Sequence, residues 1–343
     1  MKYYDGTKLL NSLDINKKKP EIYICTSNRT AGKTTYFNRF VVNRFLKHNE
    51  KFCLLYRFKY ELDSVSDKFF KDIRNLFFRD YDMTSKKKAK GIFHELYLND
   101  IHCGYAIAMN SADMIKKYSH FFNDVSHILL DEFQSETNNY CNNEIEKFIS
   151  IHTSIARGNG EQYRRVPVYM ISNPISIINP YYTALGISNR LKTNTKFLKG
   201  DGYVLEQGHN DIASNAQKEG AFNRAFSSNH YVDYSSEGVY LNDNTAFITK
   251  VTGKKKYLAT VVYKNKSYGF YECADDGFIY VSDKYDNTFP LRIVTTTNDH
   301  DINYVMLNKN SFFISNLRYL FERGCFRFKN LECKECCLTT LSY

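Results

Sequence analysis

No stretch of this 343-residue sequence stays apolar over the roughly 18 to 20 residues that a bilayer span needs, so no membrane-crossing helix is expected. The N-terminus, MKYYDGTKLL, lacks the long apolar stretch of a signal peptide, and the protein is expected to stay in the cytoplasm where it is made. No internal repeat is visible, which sets aside repeat architectures. Tryptophan is absent; the 16% aromatic content comes from 28 Tyr and 26 Phe, a bias without a physical account. Acidic residues are in the minority, 37 against 47 Lys and Arg, giving a formal charge of +10 that favours polyanions such as nucleic acid or an anionic membrane surface. Cysteine is not scarce, but nine in a reducing compartment read as free thiols.

What is present suits a soluble globular chain: 43% hydrophobic and 24% charged, long enough for two domains. Residues 1–20 read as an irregular lead-in. Glu21 to Thr26 (EIYICT) is a β-branched and aromatic run, a predicted strand. Ser27 to Gly32 is a turn, and Lys33 to Lys47 a helix with Phe37, Phe40, Val41 and Phe45 near a 3.6 period. Lys51 to Phe58 is a second strand, which completes a βαβ unit and implies a parallel sheet. Further strands are predicted at Gly104 to Ala108, His127 to Leu130 and Val166 to Ile171. Helices are predicted at about 111–118 and at Asn143 to Arg157, the latter with Ile145, Phe148, Ile149, His152, Ile155 and Ala156 on one face. Residues 200–236 mix Gly, Asn, Ser and charges without period and read as a linker with room for a short helix. Beyond them come short strands at Thr245 to Val251, Tyr257 to Tyr263, Lys266 to Glu272 and Gly277 to Val281, then a helix at 310–323. The expected domains are therefore 1–199, a linker 200–236, and an α+β domain 237–343.

Chemistry concentrates in two places. Ser27-Asn28-Arg29-Thr30-Ala31-Gly32-Lys33-Thr34, with Thr35 following, is a P-loop pattern whose first Gly is replaced by Ser27. Backbone N–H groups at a helix N-terminus cradle an anion, Gly32 permits close approach, Lys33 reaches the β- and γ-phosphates, and the Thr34 hydroxyl ligates magnesium. His127 to Glu132 is an apolar strand ending in two carboxylates, where Asp131 can hold magnesium and Glu132 can deprotonate the attacking water. Together they predict an ATPase of the ASCE/RecA-like P-loop class, with ATP and Mg²⁺ as ligands. The strand ending in Ser172 and Asn173 is either a γ-phosphate sensor between the two motif strands or only a turn, since Asn173-Pro174 is a turn signal. Arg157 at a helix end is either a finger completing a neighbour's site or a solvated cap, and Arg29 lies where it can touch the γ-phosphate of its own site.

Lys86, Lys87, Lys88 and Lys90 read as a basic loop that either grips DNA backbone or is merely solvated. Lys254, Lys255 and Lys256 read as a hairpin turn with the same two options. Cys333-x-x-Cys336-Cys337, with Cys325 nearby, offers one pair where a structural zinc site usually has two.

With these residues placed, the chain resembles the DNA-packaging ATPases of small tailed phages of the phi-twenty-nine type, distant relatives of large terminase subunits. The likeness runs through Arg29, Asn43 to Lys47, Tyr56 to Leu62, Val125 to Phe133, Ile171 to Asn173, Asn179 to Tyr181, Gly277 to Val281 and Tyr319 to Phe328. Ser27 departs from the Gly of near relatives, but terminases also carry a non-Gly residue there. The resemblance implies a pentameric ring, docked on the viral prohead in the host cytoplasm, that threads double-stranded DNA through a portal. It implies Arg157 as a finger acting on the neighbouring subunit, Arg57 and Lys59 at a DNA site or interface, and in some relatives a packaging RNA. It also implies that the C-terminal domain is a decayed RNase H-like nuclease. No Asp or Glu lies on the strand Thr245 to Val251, and Asp275 and Asp276 sit in a turn, so no nuclease activity is expected. The alternatives are a nucleotide-switched DNA-binding or assembly protein, which has no need of Glu132, and an ATP-powered nuclease, which has need of an acid cluster.

Overall fold

Ile22–Thr26 forms β1 because four of its five side chains are buried on both faces, as a central parallel strand requires. The computed structural model describes residues 3–137, 139–158, 160–188, 190–191, 195–237, 240–241, 246–307 and 311–342. The chain divides into two compact units, residues 1–185 with 191–242, and residues 186–190 with 243–343.

In the first unit the strands are β1, β2 (Lys51–Tyr56), β3 (Met83–Lys88), β4 (Phe93–Leu98), β5 (Ile101–Ala108), β6 (Val125–Asp131), β7 (Val168–Ser172), β8 (Phe197–Lys199) and β9 (Tyr203–Gln207). They make one sheet in the order β3-β4-β5-β2-β6-β7-β1-β9-β8. From β5 to β9 every neighbouring pair is parallel, and antiparallel strands close both edges. The helices are α1 (Thr7–Leu10), α2 (Lys33–His48), α3 (Lys59–Phe77), α4 (Ala112–Lys117), α5 (Glu144–Ala156), α6 (Pro180–Ala184), α7 (Asp211–Glu219), α8 (Ala221–Ala225) and α9 (His230–Glu237). On α2, Phe37, Val41, Val42 and Phe45 are buried in one cluster with Tyr23, Leu54, Leu129 and Tyr169 of the sheet. Each contributes roughly 1.5–3 kcal/mol by leaving water. Asn49, left-handed at φ 56, ends the helix and donates its N–H to Phe45 O.

Several expectations are corrected. Residues 200–236 are not a linker: β9 pairs with β1 over Tyr203 to Gln207, and α7 to α9 belong to the same unit. The polar surface of those helices hides the contacts that fix them. Lys86 to Lys88 are not a loop but half of β3, paired with Phe93 to Glu95 of β4. The strand lies at the sheet edge, where lysines discourage pairing with another chain. The buried face of α5 carries Glu144, Phe148, Ile151, Ile155 and Ala156, while Ile149 is exposed. The face is turned because Glu144 is pulled inside by an ion pair. The lead-in holds the short α1, and the long α3 adds a helix beyond those that periodicity marks.

The second unit contains β10 (Lys256–Tyr263), β11 (Lys266–Cys273), β12 (Phe278–Ser282), β13 (Arg292–Val294), β14 (Val305–Met306) and β15 (Phe326–Phe328), with α10 (Phe312–Glu322) and α11 (Leu331–Ser342). The sheet order is β14-β13-β10-β11-β12-β15. An antiparallel meander, β10 to β12, is extended by parallel strands beyond its first member, an order that suits the RNase H-like class. The strand expected at Thr245 to Val251 is reduced, among its described residues, to a single bridge from Ile248 to Phe328, so Lys254 to Lys256 do not form a hairpin turn. Cys333, Cys336 and Cys337 pack into the apolar core with Phe270, Val281 and Leu317. Burial pushes the Cys333 thiol up to about 12, so it stays protonated. Among the described residues no three His, Cys, Asp or Glu side chains are grouped as metal ligands.

Candidate active site

Three parallel strands end side by side: β1 at Thr26, β7 at Ser172 and β6 at Asp131, with Thr26 opposite Ser172 and Asp131 opposite Ile171. Ligands of open α/β sheets bind at such carboxyl ends. The P-loop leaves β1 here. Ser27, Asn28, Ala31 and Lys33 are buried, Arg29, Thr34 and Thr35 half-buried, and Thr30 exposed. Gly32 turns the chain into α2 at φ +93, a conformation that glycine adopts without strain, and Tyr3 lies over it.

Lys33 Nζ donates to Asn173 Oδ1 at 2.6 Å and lies 3.4 Å from Ser27 O. The Thr34 side chain lies beside the Asp131 carboxylate and favours its charged form, and that carboxylate accepts from Glu132 N at 2.8 Å. Burial and the adjacent Glu132 charge raise the Asp131 carboxyl to about 6, against the pull of Lys33. Burial lowers the Lys33 ammonium from its ordinary value, with Asp131 among the charges opposing that. A desolvated cation beside a desolvated carboxylate suits a ligand of both signs, a polyphosphate with a divalent cation. The hydroxyl and carboxylate of Thr34 and Asp131 are the hard oxygen donors that magnesium takes.

Glu132 is exposed and adopts the left-handed conformation at φ 52, uncommon for a residue with a side chain. It lines a cleft of about 270 Å³ with Arg29, Arg57, Glu136, Ser172 and Asn173. The Ser172 hydroxyl is occupied by Asn173 O at 2.8 Å, so of the two candidate sensors it is Asn173 that meets Lys33. A second cleft of about 640 Å³ opens against Ser27 and Ala31, lined also by Tyr3, Tyr4, Gln207 and His209. Tyr4 donates to Glu206 at 2.7 Å across its wall.

The segment that follows β9 clasps the P-loop. Asn28 donates to Asn210 O and Ser236 O and accepts from Asn210 N. Gln217 donates to Arg29 O and to the Thr30 hydroxyl. Arg29 pairs with Glu136, which also accepts from Tyr234 at 2.7 Å, and the guanidinium lies over the Tyr231 and Tyr234 rings. These partners sit about 100 to 200 residues away in sequence, and no local pattern marks them.

Of the remaining candidates Arg57 borders this cleft, and the others lie apart. Arg57 is buried in an ion pair with Glu144, not free for DNA or an interface. Arg157 is exposed at the C-terminal end of α5, its Nε on Thr153 O. The next residue, Gly158, packs on Asn123, just ahead of β6. That is the N-terminal edge of the strands, the edge opposite the P-loop, so Arg157 is not in its own subunit's site. Lys59, Lys87 and Lys90 line one surface recess with Asp63. Lys87 pairs with Asp63 at 2.6 Å, Lys88 with Glu95 at 3.2 Å, and Lys86 lies over the Tyr97 ring.

This sheet order, with a strand between the P-loop strand and the carboxylate strand, defines a P-loop NTPase fold of the ASCE type. The sequence matches the Podovirus DNA encapsidation protein (Gp16) family over residues 2–341, and the chain belongs to that family. It is 26% identical over 306 residues to the DNA packaging protein of Bacillus phage PZA, covering 88% of this chain and 87% of that one. Its fold resembles a chain of the bacteriophage Phi-29 viral genome packaging motor assembly, with a TM-score of 0.71 at 22% identity over 100% of this chain and 98% of that one. A chain of the Phi-28 gp11 DNA packaging motor gives 0.62 at 17% identity, covering 99% and 97%.

Proposed function

We propose that this DNA encapsidation protein is the ATP-hydrolysing subunit of its packaging motor, translocating double-stranded DNA into a preformed capsid. The observation that carries this is the meeting of Lys33, Thr34, Asp131 and Asn173 at the ends of three adjacent strands. The P-loop N–H groups of residues 27–35 bind the phosphates, and the second cleft takes the base and ribose. Thr34 and Asp131 would hold magnesium, which would supply neutralisation of phosphate charge. Lys33 fixes the γ-phosphate, Asn173 orients Lys33, and Glu132 takes the proton of the attacking water as the bond to ADP breaks. In this reading Arg157 reaches the site of the next subunit in a ring, proposed as a pentamer seated on the portal of the prohead in the host cytoplasm, with or without a packaging RNA.

DNA-stimulated phosphate release by the purified chain tests this reading. In the same assay, replacing Lys59, Lys86, Lys87, Lys88 and Lys90 by alanine is expected to keep the basal rate and remove the stimulation. The salt slope of DNA binding should flatten by about 0.9 for each phosphate that these lysines no longer neutralise. Unchanged packaging by that variant would remove the lysines from the DNA path.

The second unit is proposed to have no nuclease activity. β10 carries no carboxylate, and Asp275 and Asp276 are exposed in the turn where Gly277, at φ +69, donates its N–H to Cys273 O. Supercoiled plasmid incubated with the protein and Mg²⁺ or Mn²⁺ should stay intact. Cleavage abolished by Asp275→Ala or Asp276→Ala would contradict this.

A further inference from the structure

We infer that Arg57 is a positioning residue for Glu132, acting on the main chain of the carboxylate loop through a buried ion pair. The inference rests on the reading of Glu132 as the base. Glu132 follows β6 in a left-handed conformation, and something must hold that turn for the carboxylate to face the cleft. Arg57, just beyond β2, does so. Its terminal nitrogens both lie 3.3 Å from Glu132 O, and one donates to Phe133 O at 2.9 Å. Its Nε donates to both Glu144 oxygens, at 3.1 and 2.9 Å.

Glu144 is itself fixed on three sides. Besides Arg57, it accepts from Tyr181 Oη at 2.7 Å and from Cys141 N at 2.7 Å. The ion pair is nearly dry, with side-chain exposures of 9% and 2%. The Arg57 N–H is held by Glu61, whose carboxylate also caps the start of α3. The guanidinium fork therefore has one orientation, and the two carbonyls it grips belong to the proposed base and the residue after it. A lysine at this place keeps the charge but has no planar fork to hold two carbonyls and a carboxylate together.

The test compares wild type, Arg57→Lys, Tyr181→Phe, Glu132→Gln and the double variant Arg57→Lys with Glu132→Gln, all as full chains. The readouts are DNA-stimulated kcat and KM, the affinity for a fluorescent ATP analogue, and the melting temperature. Arg57→Lys should lower kcat by about 10²-fold, the cost of a misplaced group, with KM and analogue affinity within about threefold of wild type. Tyr181→Phe should lower kcat in the same direction by about three- to tenfold, through the loosened carboxylate. In the Glu132→Gln background, Arg57→Lys should change the residual rate by less than about twofold, because its effect passes through the missing carboxylate. Three results would overturn the clamp with the base intact: an unaltered kcat in Arg57→Lys, a full multiplicative loss in the double variant, or a fall in nucleotide affinity as large as the fall in kcat. If Arg57→Lys does not fold, Tyr181→Phe carries the same cycle. Wild-type turnover by Glu132→Gln alone would instead overturn the assignment of the base.

Discussion

Glu132→Gln is expected to bind ATP as wild type does and to turn it over about 10²- to 10⁴-fold more slowly, the range for a positioned general base. The substitution removes one oxygen's charge and leaves the shape, the left-handed turn and the Arg57 contacts to the main chain. Phosphate binding lies elsewhere, on the P-loop and on Lys33, which meets Asn173 and not Glu132. Binding and chemistry are thus carried by different residues, and one substitution separates them. The exposed position of Glu132 argues the same way, since a carboxylate facing the cleft is open to water, whereas the Asp131 carboxylate beside it is engaged by the Glu132 N–H. A nucleotide analogue should saturate wild type and variant at similar concentrations, while steady-state phosphate release falls. Turnover at the wild-type rate would mean that another group takes the proton.

Arg157→Ala is expected to lower ATP turnover about 10³- to 10⁵-fold, the range for an arginine finger, without lowering the affinity of an isolated subunit for ATP. The geometry makes this sharper than the sequence could. Helix α5 spans 13 residues, so its ends are about 20 Å apart. Glu144 at one end touches Arg57 beside the site, and Arg157 follows the other, near the N-terminal ends of the strands. A residue so placed has no route to its own γ-phosphate. Any catalytic effect of Arg157 must come through a second copy of the chain. A merely solvated cap would leave turnover within the small effects of an exposed surface charge.

The P-loop and the two motif strands were legible because their signals are local. An apolar run, a Gly-Lys-Thr turn and a paired carboxylate each lie within about ten residues, and the structure places β1, β6 and β7 where those runs predict. What stayed hidden depends on distant contacts. Residues 203–207 form a strand only because β1 offers a free edge, and α7 and α9 are anchored by Asn28 and Arg29 nearly two hundred residues earlier. Glu144 looks like a solvated helix start until Arg57, 87 residues before it, is placed beside it. The same pairing turns Arg57 from a candidate interface residue into a buried one. The lysines of β3 read as a loop by composition, yet the hairpin with β4 satisfies their backbone while their charges stay outside.

The most direct test of the account is a titration of Glu132→Gln against Arg157→Ala in one ring, read as DNA-stimulated phosphate release. If each site takes its base from one subunit and its finger from the next, a site is competent only where an Arg157→Ala subunit supplies the base and a Glu132→Gln subunit the finger. Equal amounts of two inactive proteins, mixed at random with independent sites, then regain about a quarter of the wild-type rate. No recovery at any ratio, with mixed rings confirmed by native mass measurement, would contradict a site shared between neighbouring subunits.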